Sequence, residues 1–328
     1  MRIAVAFYFI LFIAGACCLA DQTGLAYPCH PLAQAPTVDG DVTGDPAWDC
    51  APAATGFYVL GGGYAQLKQT TFHMGFDSEA LYLGAVCEEP DAAELKPAVA
   101  DGGWTWSEDS IELFLQPAGQ SQVYQFGITA GGAKGSGNGN PDISLCSAAA
   151  SIGAQEYSVE IRIPYSVFGA SAPGAGDVWH GTLSRNVMTD SSGGDKFTCW
   201  SPLRSRFLEP ESFAAISMHA ETLTPAQAAE FSAGLNAPYR QTVLAELTDA
   251  ATQGAGYLRA LQAAAADPEF GERARALIEQ WRAIEQINSQ AAAADIRDVR
   301  RALTGVRQLA LESYELKFHQ LLSELVRD

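Results

Sequence analysis

The 328-residue chain is short of positive charge and has no nucleotide-binding motif. It contains 20 Lys and Arg residues against 38 Asp and Glu, which gives a formal net charge of -18. Acidic residues outnumber basic ones on both sides of residue 220. The sequence therefore has no strongly basic region that would bind nucleic acid or an anionic membrane. It also has no P-loop, and no Gly-x-Gly-x-x-Gly between a strand and a helix, so nucleotide binding is not indicated.

Catalytic and zinc-binding motifs are missing as well. The five histidines are scattered, and no Cys-x-x-Cys or His-x-x-x-His spacing indicates a zinc site. Neither a Ser/His/Asp arrangement nor a Gly-x-Ser-x-Gly motif is visible. A glycoside hydrolase needs two carboxylates that flank a cleft, but Asp109 and Glu112 fall on opposite faces of one predicted strand. The sequence therefore predicts that the protein is not an enzyme.

A long hydrophobic run occurs only at the N-terminus. Residues 1–20 have the pattern of an export signal, because Arg2 precedes an almost wholly apolar run over 3–16 and small residues follow up to Ala20. The run is too short for a comfortable membrane span, and no later segment could cross a bilayer. We therefore expect a secreted, periplasmic or cell-surface protein, with a lipoprotein anchored at Cys17 as the alternative.

Cysteine is scarce and its number is odd after the export signal. The five cysteines beyond residue 20 are Cys29, Cys50, Cys87, Cys146 and Cys199. Export would place them in an oxidising compartment, where at least one stays free or pairs between chains. A local disulfide between Cys29 and Cys50 is one candidate pairing.

Residues 21–220 alternate between apolar and polar side chains, with turn residues between the runs. Roughly nine short segments show this period of two, and residues 157–163 show it most clearly. Helical periodicity is absent from this part of the chain. The pattern predicts a mainly antiparallel β-sandwich, immunoglobulin-like or jelly-roll-like, with one core and open outer faces. The glycine-rich residues 131–140 are expected to form a mobile loop.

After residue 220 the composition changes to Ala, Leu, Arg and Glu, and the pattern becomes helical. Helices are predicted over about 225–234, 238–264, 268–290 and 293–326, and Gly254 and Gly256 are candidate breaks. The last helix carries an apolar stripe that needs a partner. Residues 221–328 are therefore expected to form an all-α hairpin or bundle packed on itself. The alternative is an arm through which the protein forms a homo-oligomer.

Residues 101–115 combine two tryptophans in a glycine-rich loop with a strand that follows at once. In that strand the alternation places Glu112 on the face opposite the apolar one. An indole beside a carboxylate suits a sugar ring, because the C–H face of the ring stacks on the indole and its hydroxyls donate to the carboxylate. Trp104 or Trp106 with Glu112 is therefore a candidate sugar site. The alternative is that the tryptophans close one end of the sandwich and Glu112 is solvated.

Four blocks of sequence, taken in order, resemble family 9 carbohydrate-binding modules and related DOMON-like sandwiches. The resemblance covers roughly residues 27–220, and its third block is the most specific. The blocks are Val38-Asp39-Gly40 with Trp48; Phe76-Asp77 with Leu81-Tyr82-Leu83; residues 106–114; and residues 157–164 with Trp200-Ser201, Pro210 and Phe213.

The resemblance implies a sugar clamped between two aromatic side chains, with polar side chains on its hydroxyls. Trp106 matches the first aromatic, and Glu112 matches the carboxylate that holds hydroxyls. The second aromatic falls at Phe207, where the family usually has tryptophan. The family's arginine on the strand after Glu112 falls at Gly127, and its asparagine before the second aromatic falls at Arg204. The clamp is therefore expected to be smaller and to have fewer hydrogen bonds than the family's.

Other side chains are expected to complete this site. Gln125 or Arg206 could compensate for the missing arginine, and Trp200 is a further aromatic in the fourth block. The predicted ligand-binding residues are Trp104, Trp106, Glu112, Gln125, Trp200, Arg206 and Phe207. Family members also bind calcium at structural sites, so the resemblance implies a structural Ca²⁺, for which Asp101, Asp109 and the acidic residues 88–91 are candidate ligands.

The function predicted from the sequence is that of a secreted, non-catalytic protein that binds an oligo- or polysaccharide. The main alternative is a cell-surface assembly protein with a vestigial sugar site and a helical oligomerisation arm. A haem-binding DOMON relative would need a methionine and a histidine that face each other. Neither Met74 with His73 nor Met188 with His180 meets that requirement.

Overall fold

The computed structural model describes residues 24–189, 195–291 and 293–327. The predicted export signal and Cys17 lie outside the described residues. The described chain is a β-sandwich followed by an all-α region, which confirms the predicted fold class. Among its helices none combines the length and the apolar composition needed to cross a membrane.

The sandwich is built from thirteen strands in two sheets that share one strand. The strands are β1 (Ala26–Pro31), β2 (Ala53–Ala54), β3 (Tyr58–Val59), β4 (Thr70–Phe76), β5 (Ala80–Glu88), β6 (Ser110–Gln116), β7 (Tyr124–Thr129), β8 (Lys134–Ser136), β9 (Ser147–Ile152), β10 (Glu156–Pro164), β11 (Val178–Asn186), β12 (Phe197–Cys199) and β13 (Ala214–Met218). One sheet has the order β8-β7-β6-β11-β13-β1, and the other continues as β1-β4-β5-β10-β9. The shared strand β1 runs parallel to both β13 and β4, whereas the other pairings between described strands are antiparallel.

The core lies between the sheets because the apolar positions of each strand face inwards. On β6, Ile111, Leu113 and Leu115 are fully buried in the main hydrophobic cluster. Strands β4, β5 and β10 supply the opposite wall, including Phe72 and Leu83. The pleat of β6 then turns the side chain at each alternate position away from this core, which sets the position of the polar residues described below.

The glycine-rich residues 131–140 are not one mobile loop, because β8 pairs with β7 in the middle of them. Glycine is needed here for close packing. A Cβ at Gly135 would lie 2.7 Å from the backbone oxygen of Gly103, in the loop that precedes β6. Lys134 of β8 also forms an ion pair of 2.5 Å with Asp101 of the same loop. Residues 131–140 therefore support the loop that carries the two tryptophans.

The five cysteines of the described chain are all free, so the expected Cys29–Cys50 disulfide is not formed. Cys29 lies in the main core, whereas Cys50 is half-buried at the end of the short 3₁₀ helix Pro46–Cys50. Burial raises the pKa of the Cys199 thiol to about 11 and that of the Cys146 thiol to about 12. These buried thiols are protonated at neutral pH and are therefore poor nucleophiles.

Four helices follow the sandwich, and two of their predicted boundaries are wrong. The helices are α1 (Pro225–Ala264), α2 (Gly271–Ser289), α3 (Ile296–Thr304) and α4 (Val306–Arg327). α1 continues through Pro238, where two helices were predicted, and Gly254 and Gly256 do not break it. The predicted last helix is instead divided at Gly305 into α3 and α4. Thr224 caps α1 through a reciprocal capping box with Gln227.

The helices pack on each other and on the sandwich. α1 contacts the other three helices around a second hydrophobic cluster that contains Trp281. α1 also completes the hydrogen bonding of β2, since Asn236 accepts from the backbone N–H of Thr55 and donates to the carbonyl of Ala53. Ser232 accepts from the N–H of Ala53 at 2.8 Å. The start of α1 is therefore joined directly to the sandwich.

Candidate functional site

The sandwich has a cavity of about 450 Å³ beside the polar faces of β6, β7 and β11. Its wall combines aromatic, aliphatic and uncharged polar side chains with one carboxylate. The lining residues are Leu60, Trp106, Glu112, Gln125, Asn186, Met188, Phe197 and Phe207.

Strand register brings the polar members of this cavity together. On β6, Glu112 pairs with Ser184 of β11 and with Gly127 of β7, so these three positions face the same side of the sheet. Asn186 lies two residues after Ser184 on β11, and Gln125 lies two residues before Gly127 on β7, so both side chains share that face. The site is therefore assembled by alternation on three neighbouring strands.

Two amides hold the carboxylate of Glu112. Asn186 donates through Nδ2 to Oε1 at 2.6 Å, and Gln125 donates through Nε2 to Oε2. The backbone N–H of Asn138 donates to Oε1 of Gln125 at 2.9 Å, and the Nδ2 of Asn186 also donates to the Oγ of Ser110 at 3.2 Å. These further hydrogen bonds fix both amides with their NH₂ groups towards the carboxylate, so Glu112 has a defined orientation.

The electrostatic environment of Glu112 is uncharged rather than cationic. Its side chain is only 4% exposed, and burial raises the pKa of Glu112 even though the hydrogen bonds from Asn186 and Gln125 oppose the shift. None of the described lining residues is Lys, Arg or His. The carboxylate therefore keeps its remaining lone pairs for a ligand that donates hydrogen bonds, instead of using them in an ion pair.

Aromatic side chains from separate segments also line the cavity. Trp106 lies in the short 3₁₀ helix Thr105–Ser107, immediately before β6. Phe207 lies in the loop between β12 and β13, with ring centroids 6.1 Å from Phe197 and 6.5 Å from Phe114. Both Trp106 and Phe207 are half-buried, so part of each ring stays open to the cavity.

Glu209 fixes the loop that carries Phe207. Its carboxylate accepts hydrogen bonds from the backbone N–H groups of Arg204, Ser205 and Arg206. Burial alone would raise the pKa of Glu209, but these hydrogen bonds outweigh it and lower the pKa to about 2. The loop is therefore held by a carboxylate that is ionised at neutral pH.

The structure brings four of the seven predicted ligand-binding residues together in this cavity, namely Trp106, Glu112, Gln125 and Phe207. Trp104 lies beside Trp106, with ring centroids 5.9 Å apart, but its side chain is 72% exposed and does not line the cavity.

Arg206 and Trp200 do not reach the site. Arg206 is exposed, is outside the lining and therefore does not compensate for the missing arginine. Trp200 does not line the cavity either, because its side chain is 4% exposed and packs edge-on against Phe72 and Tyr27 in the core.

Asn186 and Phe197 also line the cavity but were not predicted from the sequence. Asn186 donates to Glu112, and Phe197 of β12 pairs with Asn186 of β11. A signal for Asn186 was present: on β11, Ser184 and Asn186 alternate with Leu183 and Arg185, so the polar face could have been assigned in the same way as on β6. Phe197 carried no such signal, because β12 has only three residues.

Gly127 cannot hold the arginine that the family resemblance places at its position. A Cβ at Gly127 would overlap the Oγ1 of Thr105, which lies directly over the glycine. Thr105 is fully buried at the start of the 3₁₀ helix that presents Trp106. The space of the missing side chain is therefore filled by the segment that positions the first aromatic residue.

The carboxylates proposed as calcium ligands have other partners in the structure. Asp101 pairs with Lys134, and Asp109 accepts hydrogen bonds from the backbone of Met188 and Thr189. In the acidic segment 88–91, Glu89 forms ion pairs with the buried Lys68 and Arg185. The expectation of calcium therefore rests on the resemblance alone.

Comparisons with known proteins find similarity in solved structures only. No protein-family model matches the chain, and no curated protein matches it. A family 9 carbohydrate-binding module from Caldicellulosiruptor kristjanssonii, solved with cellotriose, is 20% identical, with a TM-score of 0.45 and coverage of 60% of this chain and 95% of that one.

Two further structures give similar values. The module solved with glucose has 20% identity, a TM-score of 0.44 and coverage of 60% and 97%. A protein from Bacteroides uniformis, whose proposed role is carbohydrate binding, has 17% identity, a TM-score of 0.46 and coverage of 60% and 98%. The chain is thus similar over 60% of its length to structures that include family 9 carbohydrate-binding modules, the family that its sequence motifs resemble.

Proposed function

We propose that the sandwich binds a sugar in the cavity lined by Trp106 and Phe207. The observation that carries the proposal is the carboxylate of Glu112, held by the amides of Asn186 and Gln125 beside these two aromatic rings. A sugar presents apolar C–H faces and many hydroxyl donors, which match aromatic rings and a fixed, uncompensated carboxylate respectively. The cavity volume of about 450 Å³ falls within the range of roughly 300–1,000 Å³ that is typical of small-ligand sites.

The same geometry supports binding without catalysis. Hydrolysis of a glycosidic bond needs two carboxyl groups, roughly 5–9.5 Å apart, on the two sides of the bond. Glu112 is the one carboxylate among the described lining residues. Asp109 is buried and directs its oxygens to the backbone of Met188 and Thr189 instead of into the cavity. We therefore propose a non-catalytic protein, and the N-terminal sequence adds the proposal that it is exported.

Calorimetric titration of the full chain with sugars tests this function. Glucose and cellotriose are the first probes, because the similar modules were solved with them, and xylose oligomers are the second. We expect Trp106→Ala to weaken binding at least about tenfold, equivalent to about 1.4 kcal/mol. Trp104→Ala is the matched control, since this neighbouring tryptophan lies outside the cavity. The proposal is wrong if no sugar binds, or if Trp106→Ala binds as tightly as the unaltered chain.

A second candidate function is self-association through α4, as in an assembly protein. Five large hydrophobic side chains among the described residues of this helix are exposed, at spacings of three and four residues: Leu311, Tyr314, Phe318, and the adjacent Leu321 and Leu322. This spacing forms one stripe, which a second copy of the same helix could cover. Sedimentation of the full chain and of a Tyr314→Glu, Phe318→Glu variant tests it, because self-association through α4 requires the variant to be the smaller species.

A further inference from the structure

Two histidines meet at the junction between the sandwich and the helices. β1 and β13 are parallel with Cys29 opposite Met218, and the backbone N–H of His219 continues this pairing by donating to the carbonyl of Cys29 at 2.9 Å. The next residue of β1 is His30, which therefore lies beside His219. The two imidazole rings are stacked, with centroids 4.3 Å apart and an interplanar angle of 11°.

One hydrogen bond defines which nitrogen of His30 is available. Nδ1 lies 2.8 Å from the backbone carbonyl oxygen of Glu221. A carbonyl oxygen only accepts, so Nδ1 carries the proton and Nε2 carries a lone pair. His30 is 3% exposed, and its Nε2 is buried with no hydrogen-bond partner within the described part of the chain. A buried nitrogen lone pair without a partner is unfavourable unless something binds to it.

A carboxylate completes the group. Glu221 follows His219 closely in the chain and is exposed. One ligand atom from each of His30, His219 and Glu221 lies within 4.8 Å of the other two, and within the described ranges these are the side chains that form such a group. Two imidazoles and a carboxylate are a donor set that suits zinc, which takes nitrogen and oxygen ligands in a tetrahedral arrangement.

We propose that the Nε2 of His30, a ring nitrogen of His219 and the carboxylate of Glu221 bind a zinc ion. Histidines that ligate metals usually donate their other ring N–H to a carbonyl or carboxylate, which fixes the tautomer, and the bond from Nδ1 of His30 to Glu221 is of this kind.

Binding requires the two less buried ligands to move, and the ring of His219 must turn out of its parallel stack with His30 because the lone pairs of stacked rings lie in parallel planes. Ligand atoms in a tetrahedral zinc site are about 3.3 Å apart, given metal–ligand distances near 2.0–2.1 Å. His30 is fixed in the sandwich, so His219 and Glu221, which are half-buried and exposed, would rotate towards its Nε2. His219 also lines a cavity of about 700 Å³ between β1 and α1, which gives the ion a path from solvent.

The position of the site gives the ion a structural role. His30 belongs to the strand shared by the two sheets, whereas His219 and Glu221 lie between β13 and α1. The ring of Phe231 on α1 packs 5.3 Å from His30. A zinc ion would therefore cross-link the first strand of the sandwich to the segment that leads into the helices, and it would stabilise their junction. This site is separate from the sugar cavity and does not depend on it.

The test is a calorimetric titration of the metal-stripped full chain with zinc, together with thermal unfolding at each zinc concentration. We expect one zinc ion per chain and a rise in Tm on binding. Glu221→Gln and His219→Ala should each weaken zinc binding at least about tenfold, because each removes one of three ligands, and His219→Ala should also abolish the rise in Tm. His180→Ala is the matched control, since this half-buried strand histidine is outside the group. Both ligand changes are at partly exposed positions, and circular dichroism checks that the variants fold.

Cobalt substitution distinguishes metal bound at this site from metal bound by cysteine. Cobalt bound by His30, His219 and Glu221 should show d–d bands without a thiolate charge-transfer band, and the bands should vanish in His219→Ala. The proposal is overturned if the unaltered chain binds no zinc or if the ligand variants bind it as tightly as the control. A thiolate band that persists in all variants would also overturn it, because the metal would then be held by cysteine.

Discussion

Arg300 of α3 and Glu88 of β5 form an ion pair that joins the helical region to the sandwich. The Nη2 of Arg300 lies 2.6 Å from Oε1 and 2.5 Å from Oε2 of Glu88, and its Nη1 donates to the carbonyl of Gln66 at 3.2 Å. The arginine is 3% exposed although it belongs to a short helix near the end of the chain. The helices are therefore held on the sandwich at this end, as they are at the start of α1.

Replacing Arg300 with methionine should lower the free energy of unfolding by about 2–4 kcal/mol. The loss is large because Glu88 and the carbonyl of Gln66 would each lose a donor in a largely buried place. Arg301→Met is the matched control, since Arg301 is exposed and forms an ion pair with the exposed Asp298, and its effect should stay within about 0.5 kcal/mol. Urea denaturation of both variants measures the difference. Equal effects would show that the ion pair does not hold the interface.

The polar half of the candidate site could be predicted because it depends on alternation along single strands. Glu112 was assigned to the polar face of its strand from the period of two, and the pairing of β6 with β7 brings Gln125 beside it. The same reasoning on β11 would have found Asn186. Trp200 could not be separated from the ligand-facing aromatics in this way, since the sequence around it does not show which face of a short strand meets the core.

Features that depend on contacts between distant segments were not predictable. The overlap of Gly127 with Thr105 requires the loop before β6 to fold over β7. The continuity of α1 through Pro238 also reflects tertiary contacts: Ser232 and Asn236 bond to β2 before the proline, and Val243 packs into the bundle after it. Local propensity predicted a helix boundary at the proline, but packing on both sides maintains one helix.

Sugar affinity should depend on pH through Glu112. Burial raises the pKa of this carboxyl, so as the pH falls it protonates earlier than an exposed glutamate does. The protonated form loses an acceptor for sugar hydroxyls, so affinity should decrease on acidification, and the decrease should begin at a higher pH than an exposed glutamate would give. No other described residue of the cavity wall titrates in this range. Calorimetry at several pH values on the unaltered chain and on Glu112→Gln measures this. The variant should bind more weakly with little pH dependence, and a parallel dependence in both would assign the effect to another group.

A side chain at position 127 should be harmful despite the arginine that the resemblance places there. Gly127→Ala should destabilise the sandwich by about 1–3 kcal/mol, because the new Cβ overlaps Thr105. Thr105→Ala removes the nearest atom, the Oγ1, but leaves the Cβ of residue 105 at 2.9 Å, so the double variant should recover part of the loss. Chemical denaturation of the unaltered chain, the two single variants and the double variant gives the four free energies of unfolding of a double-mutant cycle. Strict additivity would show that the two residues do not compete for the same space.

Two glycines of α1, two residues apart, should respond in opposite directions to the same substitution. Gly254 is buried, and a Cβ there would overlap the ring of Trp281, whereas Gly256 is exposed and a Cβ there would have no neighbour within 4 Å. Alanine has a helix propensity better than that of glycine by about 1 kcal/mol, so Gly256→Ala should stabilise the chain by about 0.5–1 kcal/mol.

Gly254→Ala gains the same stabilisation from helix propensity, but its new Cβ must displace the ring of Trp281. Trp281 is fully buried and donates from Nε1 to the Oγ of Ser313 at 2.9 Å. Overpacking a core costs about 1–3 kcal/mol, which exceeds the propensity gain, so the net effect should be a loss. Urea denaturation of both variants, followed by far-UV circular dichroism, measures the two changes in the free energy of unfolding. If both alanines stabilise the chain alike, α1 does not approach α2 as closely as the contact between Gly254 and Trp281 requires.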